Sequence, residues 1–215
     1  MKLVIGNRNY SSWSLRAWLA VRFAGLDPEI VRIPLDTPEF GDQIRVYSAA
    51  AQVPVLLDGD LTIWDSLAIC EYVAELSGVG WPADRALRAH ARCSVSEMHS
   101  GFAALRDRMP MNIRARRSVP VEAPLPAQIE RIIGLWCEAL TLHDDDRAGL
   151  YGAWGIADAF WAPVAFRFRT YGVAVPELAA LWMERLFDHP EVRDWCALAE
   201  VETEVLDAEE TGDAR

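Results

Sequence analysis

The sequence holds a single lysine, Lys2; the rest of its 21 basic residues are arginine, and 32 acidic residues leave a net charge of −11. A chain this short of positive charge lacks the footprint of a nucleic-acid binder or of a protein held on an anionic membrane. No run approaches the roughly 18 apolar residues that cross a bilayer. The opening stretch turns polar at Asn7, too early for a secretory leader. Cysteine is sparse: Cys70, Cys93, Cys137 and Cys196 stand singly, with no C-x-x-C. A chain of 215 residues needs no disulfide staples, so this usage points to a reducing, cytoplasmic setting. The four histidines show no H-x-x-x-H spacing, which excludes the common zinc patterns, and no metal is expected. What is present is ordinary globular composition, 52% hydrophobic and 25% charged, enough for one large or two small domains.

The two halves differ in period. Lys2–Gly6 is a short apolar run of strand length. Leu15, Trp18, Leu19 and Phe23 then recur on one helical face, with Ser11 and Ser12 where an N-cap belongs. Gly25 and Asp27-Pro28 turn the chain into a second strand, Glu29–Pro34. A weakly helical polar stretch, 37–50, follows. Pro54–Leu57 and Leu61–Trp64 flank Asp58-Gly59-Asp60, a hairpin signal. Asp65 and Ser66 cap a third helix. The order β-α-β-α-β-β-α over residues 1–80 implies a mixed four-stranded sheet with helices on both faces. Residues 81–85 form a linker. From 86 to 207 the pattern is all-helical, with segments near 84–109, 125–143, 156–171, 176–188 and 190–206, and no strand. The acidic tail beyond Leu206 is expected to fray.

Four motifs occur in order. They are Tyr10-Ser11-Ser12-Trp13-Ser14-Leu15-Arg16, Val53-Pro54-Val55-Leu56, Asp65-Ser66-Leu67-Ala68-Ile69 and Gly152-Ala153-Trp154-Gly155-Ile156-Ala157-Asp158. Together they resemble the S-S-x-S-x-R, V-P-x-L, [ED]-S-x-A-I and G-x-x-[ST]-x-A-D motifs of bacterial glutathione S-transferases of the zeta-like serine type. The resemblance spans nearly the whole chain. It implies a thioredoxin-like N-terminal domain followed by an all-α domain, glutathione as co-substrate, and a homodimer.

The chemistry it implies is thiol activation. The thiolate is the nucleophile, and a thiol of pKa ~8.5 is only a few per cent ionised at neutral pH. A hydroxyl beside a helix N-terminus stabilises the anion. By the resemblance, Ser11 or Ser12 is the catalytic hydroxyl. Val53-Pro54 would hold the cysteinyl part of glutathione by backbone pairing, and Asp65 with Ser66 its γ-glutamyl end. For the glycyl carboxylate Gln43, Arg45 and Gln52 remain open. Read as plain structure, the serines and Asp65 are helix caps. Asp158, three residues after Gly155, reads as a structural capping box.

The electrophile site should lie between the two domains. Its candidates are Tyr10, Trp13, Met98, Phe102, Arg106, Met109 and Trp161. The five arginines at 106, 108, 114, 116 and 117 would form an anion site only if they face that cleft. The reaction implied first is attack on a small hydrophobic electrophile. A second is glutathione-dependent cis–trans isomerisation of a maleyl-type dicarboxylate. Those isomerases commonly carry arginine immediately before the paired serines, where this chain has Tyr10. A third reading is a non-catalytic interaction or ligand-carrier protein on the same fold.

Overall fold

The computed structural model describes residues 1–144 and 147–215. Strand β1 (Lys2–Ile5) lies at the centre of a four-stranded sheet ordered β2-β1-β3-β4. It runs parallel to β2 (Glu29–Arg32) and antiparallel to β3 (Val55–Asp58). The hairpin partner β4 (Leu61–Trp64) closes the open edge of β3. Alternation along β1 divides the core. Leu3 and Ile5 join a large cluster with α1 (Ser12–Phe23) and α3 (Ser66–Ser77). Val4 joins Ile33, Val55 and Ile44, the last from α2 (Phe40–Arg45) on the opposite face. This is the expected thioredoxin-like arrangement.

Helices α4 (Arg85–Ser100), α5 (Ala103–Arg108), α6 (Leu125–Thr141), α7 (Ile156–Tyr171), α8 (Glu177–Asp188) and α9 (Pro190–Glu200) build the second half. The segment expected as one helix over 84–109 is two. The chain breaks at Gly101-Phe102, where Phe102 takes φ 60°. Arg106 then turns back and donates to the carbonyls of Met98, Gly101 and His99 at that break. Helix α7 is buried along nearly its whole length and packs against α1 and α4, joining the two halves.

Two expectations about the helical half are corrected. It contains strand: β5 (Arg117–Ser118) pairs antiparallel with β6 (Asp213–Ala214). The tail is also ordered rather than frayed. After α9 the chain runs extended, forms a 3-10 turn at Asp207–Glu209, and returns to β5. Its carboxylates meet partners far away in sequence. Glu202 accepts from the backbone N–H of Arg8 (2.8 Å) and of Asn9 (3.3 Å). Glu204 pairs with Arg32 at 2.7 Å. Glu210 accepts from the Tyr10 hydroxyl (2.6 Å) and Asn112 (2.8 Å) and pairs with Arg117.

The turn into α7 is a buried polar knot. Asp158 is 1% exposed and accepts three hydrogen bonds. They come from Leu150 N–H (2.8 Å), Trp182 Nε1 (2.9 Å) and Gly155 N–H (3.0 Å), the last completing the expected capping box. Gly155 is the N-cap because a Cβ there would lie 2.5 Å from the Gly80 carbonyl oxygen, which already accepts from Ile156 N–H. Burial outweighs the three donors and pushes the Asp158 carboxyl up to about 6.

Replacing Asp158 by alanine strands three donors, and urea unfolding should register a loss of about 3–5 kcal/mol. Because its folded pKa lies above the unfolded value, Asp158 binds protons more readily in the native state between about pH 4 and 6. Wild-type stability relative to Asp158→Asn should therefore rise as pH falls from 7 to 5; a flat difference would contradict this.

Candidate functional site

The carboxyl end of β1 leads through Asn7 into α1, whose N-terminus faces a cavity of about 520 Å³ between the sheet half and the helical half. Asn7 braces that turn: its carbonyl accepts from Ser11 N–H (2.8 Å) and its side chain from Leu35 N–H (2.7 Å). Ser11 is the N-cap, accepting from Ser14 N–H at 3.3 Å. Its own hydroxyl donates to Ser14 Oγ at 2.8 Å, which also accepts from Gly6 N–H at 3.0 Å. Ser12 is placed differently. Its Oγ accepts from Arg167 Nη2 at 3.4 Å, leaving the hydroxyl hydrogen to be donated elsewhere.

A second helix N-terminus meets the same cavity. Asp65 caps α3 through Oδ1, which accepts from Leu67 N–H (2.8 Å) and Ala68 N–H (3.3 Å). Its φ of 73° is strained for a non-glycine residue. Its Oδ2 lies 3.4 Å from His99 Nε2. Burial, and the charges of Arg16 and Arg106, lower the His99 pKa against the pull of Asp65. Ser66 is fully buried, and its Oγ has no hydrogen-bond partner among the described residues. Gln52, Val53 and Pro54 line the wall between the two helix ends, and the Val53-Pro54 peptide is cis. Trp13, Leu35, Phe40 and Trp64 supply the apolar rim.

Beneath these groups lie three buried or half-buried cations. Arg16 is 0% exposed, and its guanidinium sits 4.4 Å from the Trp13 ring centroid and 4.8 Å from that of Phe160. Arg106 lies 5.1 Å from the Trp13 ring centroid and faces the cavity. Arg167 is 4% exposed and faces it too. Burial, then the charge of Arg106, lowers Arg167 to about 10, while Glu209 acts in the opposite sense. Burial and the charges of Arg106 and Arg167 push Arg16 well down. Among the described residues none of the three forms a close ion pair with a carboxylate. Guanidinium groups stay protonated in proteins, so the cavity floor is electropositive.

The structure therefore brings together Tyr10, Ser11, Ser12, Trp13, Gln52, Val53, Pro54, Asp65, Ser66 and Arg106. It does not bring in the others. Gln43 is exposed on α2 away from the cavity, and Arg45 pairs loosely with Asp42 at 3.8 Å. Met98, Phe102 and Trp161 are core: Trp161 is fully buried, donates to Ser94 Oγ at 2.8 Å and packs edge-on to Phe102. Met109 is buried and faces a separate apolar groove beside Ile129 and Tyr171. Of the five arginines only Arg106 faces the cleft. Arg114 and Arg117 hold the tail, while Arg108 and Arg116 bond nearby carbonyls. Sequence reading missed Arg167 and Glu209. Arg167 carried one legible signal, an arginine between Phe166 and Phe168 in a helix otherwise apolar on most faces.

Comparison with known proteins agrees with this layout. Residues 10–76 match the family model of the glutathione S-transferase N-terminal domain. A dichloromethane dehalogenase of Methylophilus leisingeri is 47% identical over 47 residues, 22% of this chain and 18% of that protein. Glutathione S-transferase 1 of Zea mays is 45% identical over 65 residues, 29% of this chain and 30% of its own length. The chain thus spans less than a third of the curated relatives it matches. Similarity in three dimensions extends further. A glutathione transferase homologue from Burkholderia, solved with bound glutathione, superposes with a TM-score of 0.70 at 26% identity, covering 93% of this chain and 97% of that one. Residues 10–76 thus belong to the glutathione S-transferase N-terminal domain family, and both halves of the chain share the fold of the glutathione transferase homologue from Burkholderia.

Proposed function

We propose that the protein is an enzyme that ionises the thiol of glutathione at the N-terminus of α1 and directs it at a small hydrophobic electrophile. The observation that carries this reading is the pairing of the Ser12 hydroxyl with Arg167 at an electropositive helix end inside the cavity. Lowering a thiol from ~8.5 by two units requires roughly 2.7 kcal/mol of preferential anion stabilisation. A helix N-terminus contributes about 0.3–1 kcal/mol, and a hydrogen bond to a charged group about 1.5–3. Ser12 is the donor in this proposal because Ser11 is committed to Ser14. The remaining parts fit the tripeptide. The buried, unpartnered Ser66 hydroxyl at the α3 N-terminus suits the γ-glutamyl carboxylate, and Asp65 its amine. The backbone at Val53 suits the cysteinyl unit, and Gln52 the glycyl end. The Burkholderia homologue, solved with bound glutathione, supports glutathione as the co-substrate.

The apolar rim of Trp13, Leu35, Phe40 and Trp64 favours a hydrophobic electrophile. The isomerase reading keeps one observation in its favour: Arg106 and Arg167 face the cavity that lacks an arginine at position 10. The homodimer belongs to the proposal as well, since Leu61, Trp64 and Leu76 leave apolar surface exposed on β4 and α3. All four cysteines are unpaired, in keeping with a reducing, cytoplasmic setting, and among the described residues no helix is long and apolar enough to cross a membrane.

Thiolate absorbance of bound glutathione, titrated over pH, tests the activator. Wild type should titrate about two units below the free thiol, and Ser12→Ala should move the midpoint up by at least one unit. Ser11→Ala should cost about 1 kcal/mol of stability with a smaller change in midpoint. An unchanged midpoint in Ser12→Ala would sink its role, and no bound glutathione would sink the enzyme reading. Arg167→Gln should also raise the midpoint, by about one unit, through loss of one nearby cation. Incubation with glutathione and a maleyl-type dicarboxylate separates the two reactions: the isomerase regenerates free glutathione, whereas conjugation consumes it.

A further inference from the structure

The cavity that takes the electrophile is also reached by the C-terminal tail. Glu209 ends the 3-10 turn at Asp207–Glu209 and lines the same wall as Arg106 and Arg167. Its position is set by its neighbours. Upstream, Glu202 is clamped on the backbone of Arg8 and Asn9; downstream, Glu210 is held by Tyr10, Asn112 and Arg117, and β6 is paired to β5. The Glu209 carboxylate itself makes no hydrogen bond and no close ion pair among the described residues. The other carboxylate at the cavity, Asp65, is already occupied by two backbone N–H groups and His99.

Resting on the transferase reading above, we propose that Glu209 is a specificity-determining residue: its charge, held in the same cavity as Arg106 and Arg167 by the anchored tail, offsets part of the arginines' attraction and so disfavours carboxylate-bearing electrophiles relative to neutral ones. An unpaired carboxylate in a partly buried site is poorly screened, so its repulsion acts on an anion bound in the same cavity. The two groups sense each other. Burial raises the Glu209 carboxyl, and the Arg167 charge draws it back. A neutral electrophile meets no such barrier and retains the apolar rim.

Two aryl halides of one skeleton read this directly: 1-chloro-2,4-dinitrobenzene, which is neutral, and 4-chloro-3,5-dinitrobenzoate, which carries a carboxylate. In both, the glutathione sulfur forms a C–S bond as chloride leaves, and the thiol proton passes to solvent. The ratio of kcat/KM for the anion over the neutral compound should rise about tenfold in Glu209→Gln. Asp207→Asn removes a tail charge outside the cavity and should change the ratio less than twofold. An unchanged ratio in Glu209→Gln, or an equal rise in Asp207→Asn, overturns the proposal. If wild type turns over neither compound, the transferase reading fails separately. Calorimetric binding of 4-chloro-3,5-dinitrobenzoate then decides: several-fold tighter binding to Glu209→Gln supports the proposal, and equal or undetectable binding to both proteins overturns it.

Discussion

Three arginine charges are held out of bulk solvent beside the first turn of α1, with no carboxylate paired to any of them among the described residues. Arg16 lies between two aromatic rings, Arg106 is bound to carbonyls at the α4–α5 break, and Arg167 leans on Ser12. Such a cluster is costly to bury without an anion. The fold meets part of that cost with aromatic faces and carbonyl dipoles, and leaves the rest directed at the cavity. The proposed chemistry follows from that imbalance, because a thiolate at the α1 N-terminus is an anion in the position the cluster favours.

The excess of acidic residues has a structural use. Carboxylates of the tail are distributed over Arg8, Arg32 and Arg117, and Arg114 bonds the tail's backbone carbonyls, so that segments from opposite ends of the chain are clamped together. Exposed ion pairs contribute little individually. The Glu202 contact differs, because its carboxylate is only 8% exposed by residue and accepts backbone N–H groups in the turn that leads into α1. The same tail fixes Tyr10, so the wall of the cavity and the end of the chain are ordered by one set of bonds.

The domain interface rests on packing of α1 against α7 and on the knot at the α7 N-terminus. Gly155 allows the Gly80 carbonyl to approach, and Asp158 accepts from the Leu150 and Gly155 N–H groups of the same turn. A rigid α7 start matters to the site because Arg167, three turns further along the same helix, is positioned by it.

Elements whose cause is local were legible in the residues alone. Period-2 and period-3.6 patterns placed β1 to β4 and the main helices, and capping chemistry placed Ser11, Asp65 and Gly155, since both depend on residues within a few positions of one another. The site residues legible in the sequence sit at those same helix ends and turns. What failed depended on distance in space. Met98, Phe102, Met109 and Trp161 looked suited to a pocket, but only packing decides whether an apolar side chain faces a cleft or the core. The break at Gly101 turned on a carbonyl exchange with Arg106, and the tail on partners nearly two hundred residues away. Arg167 and Glu209 entered the site through tertiary structure alone, because the charge of a buried group has meaning only once its neighbours are fixed.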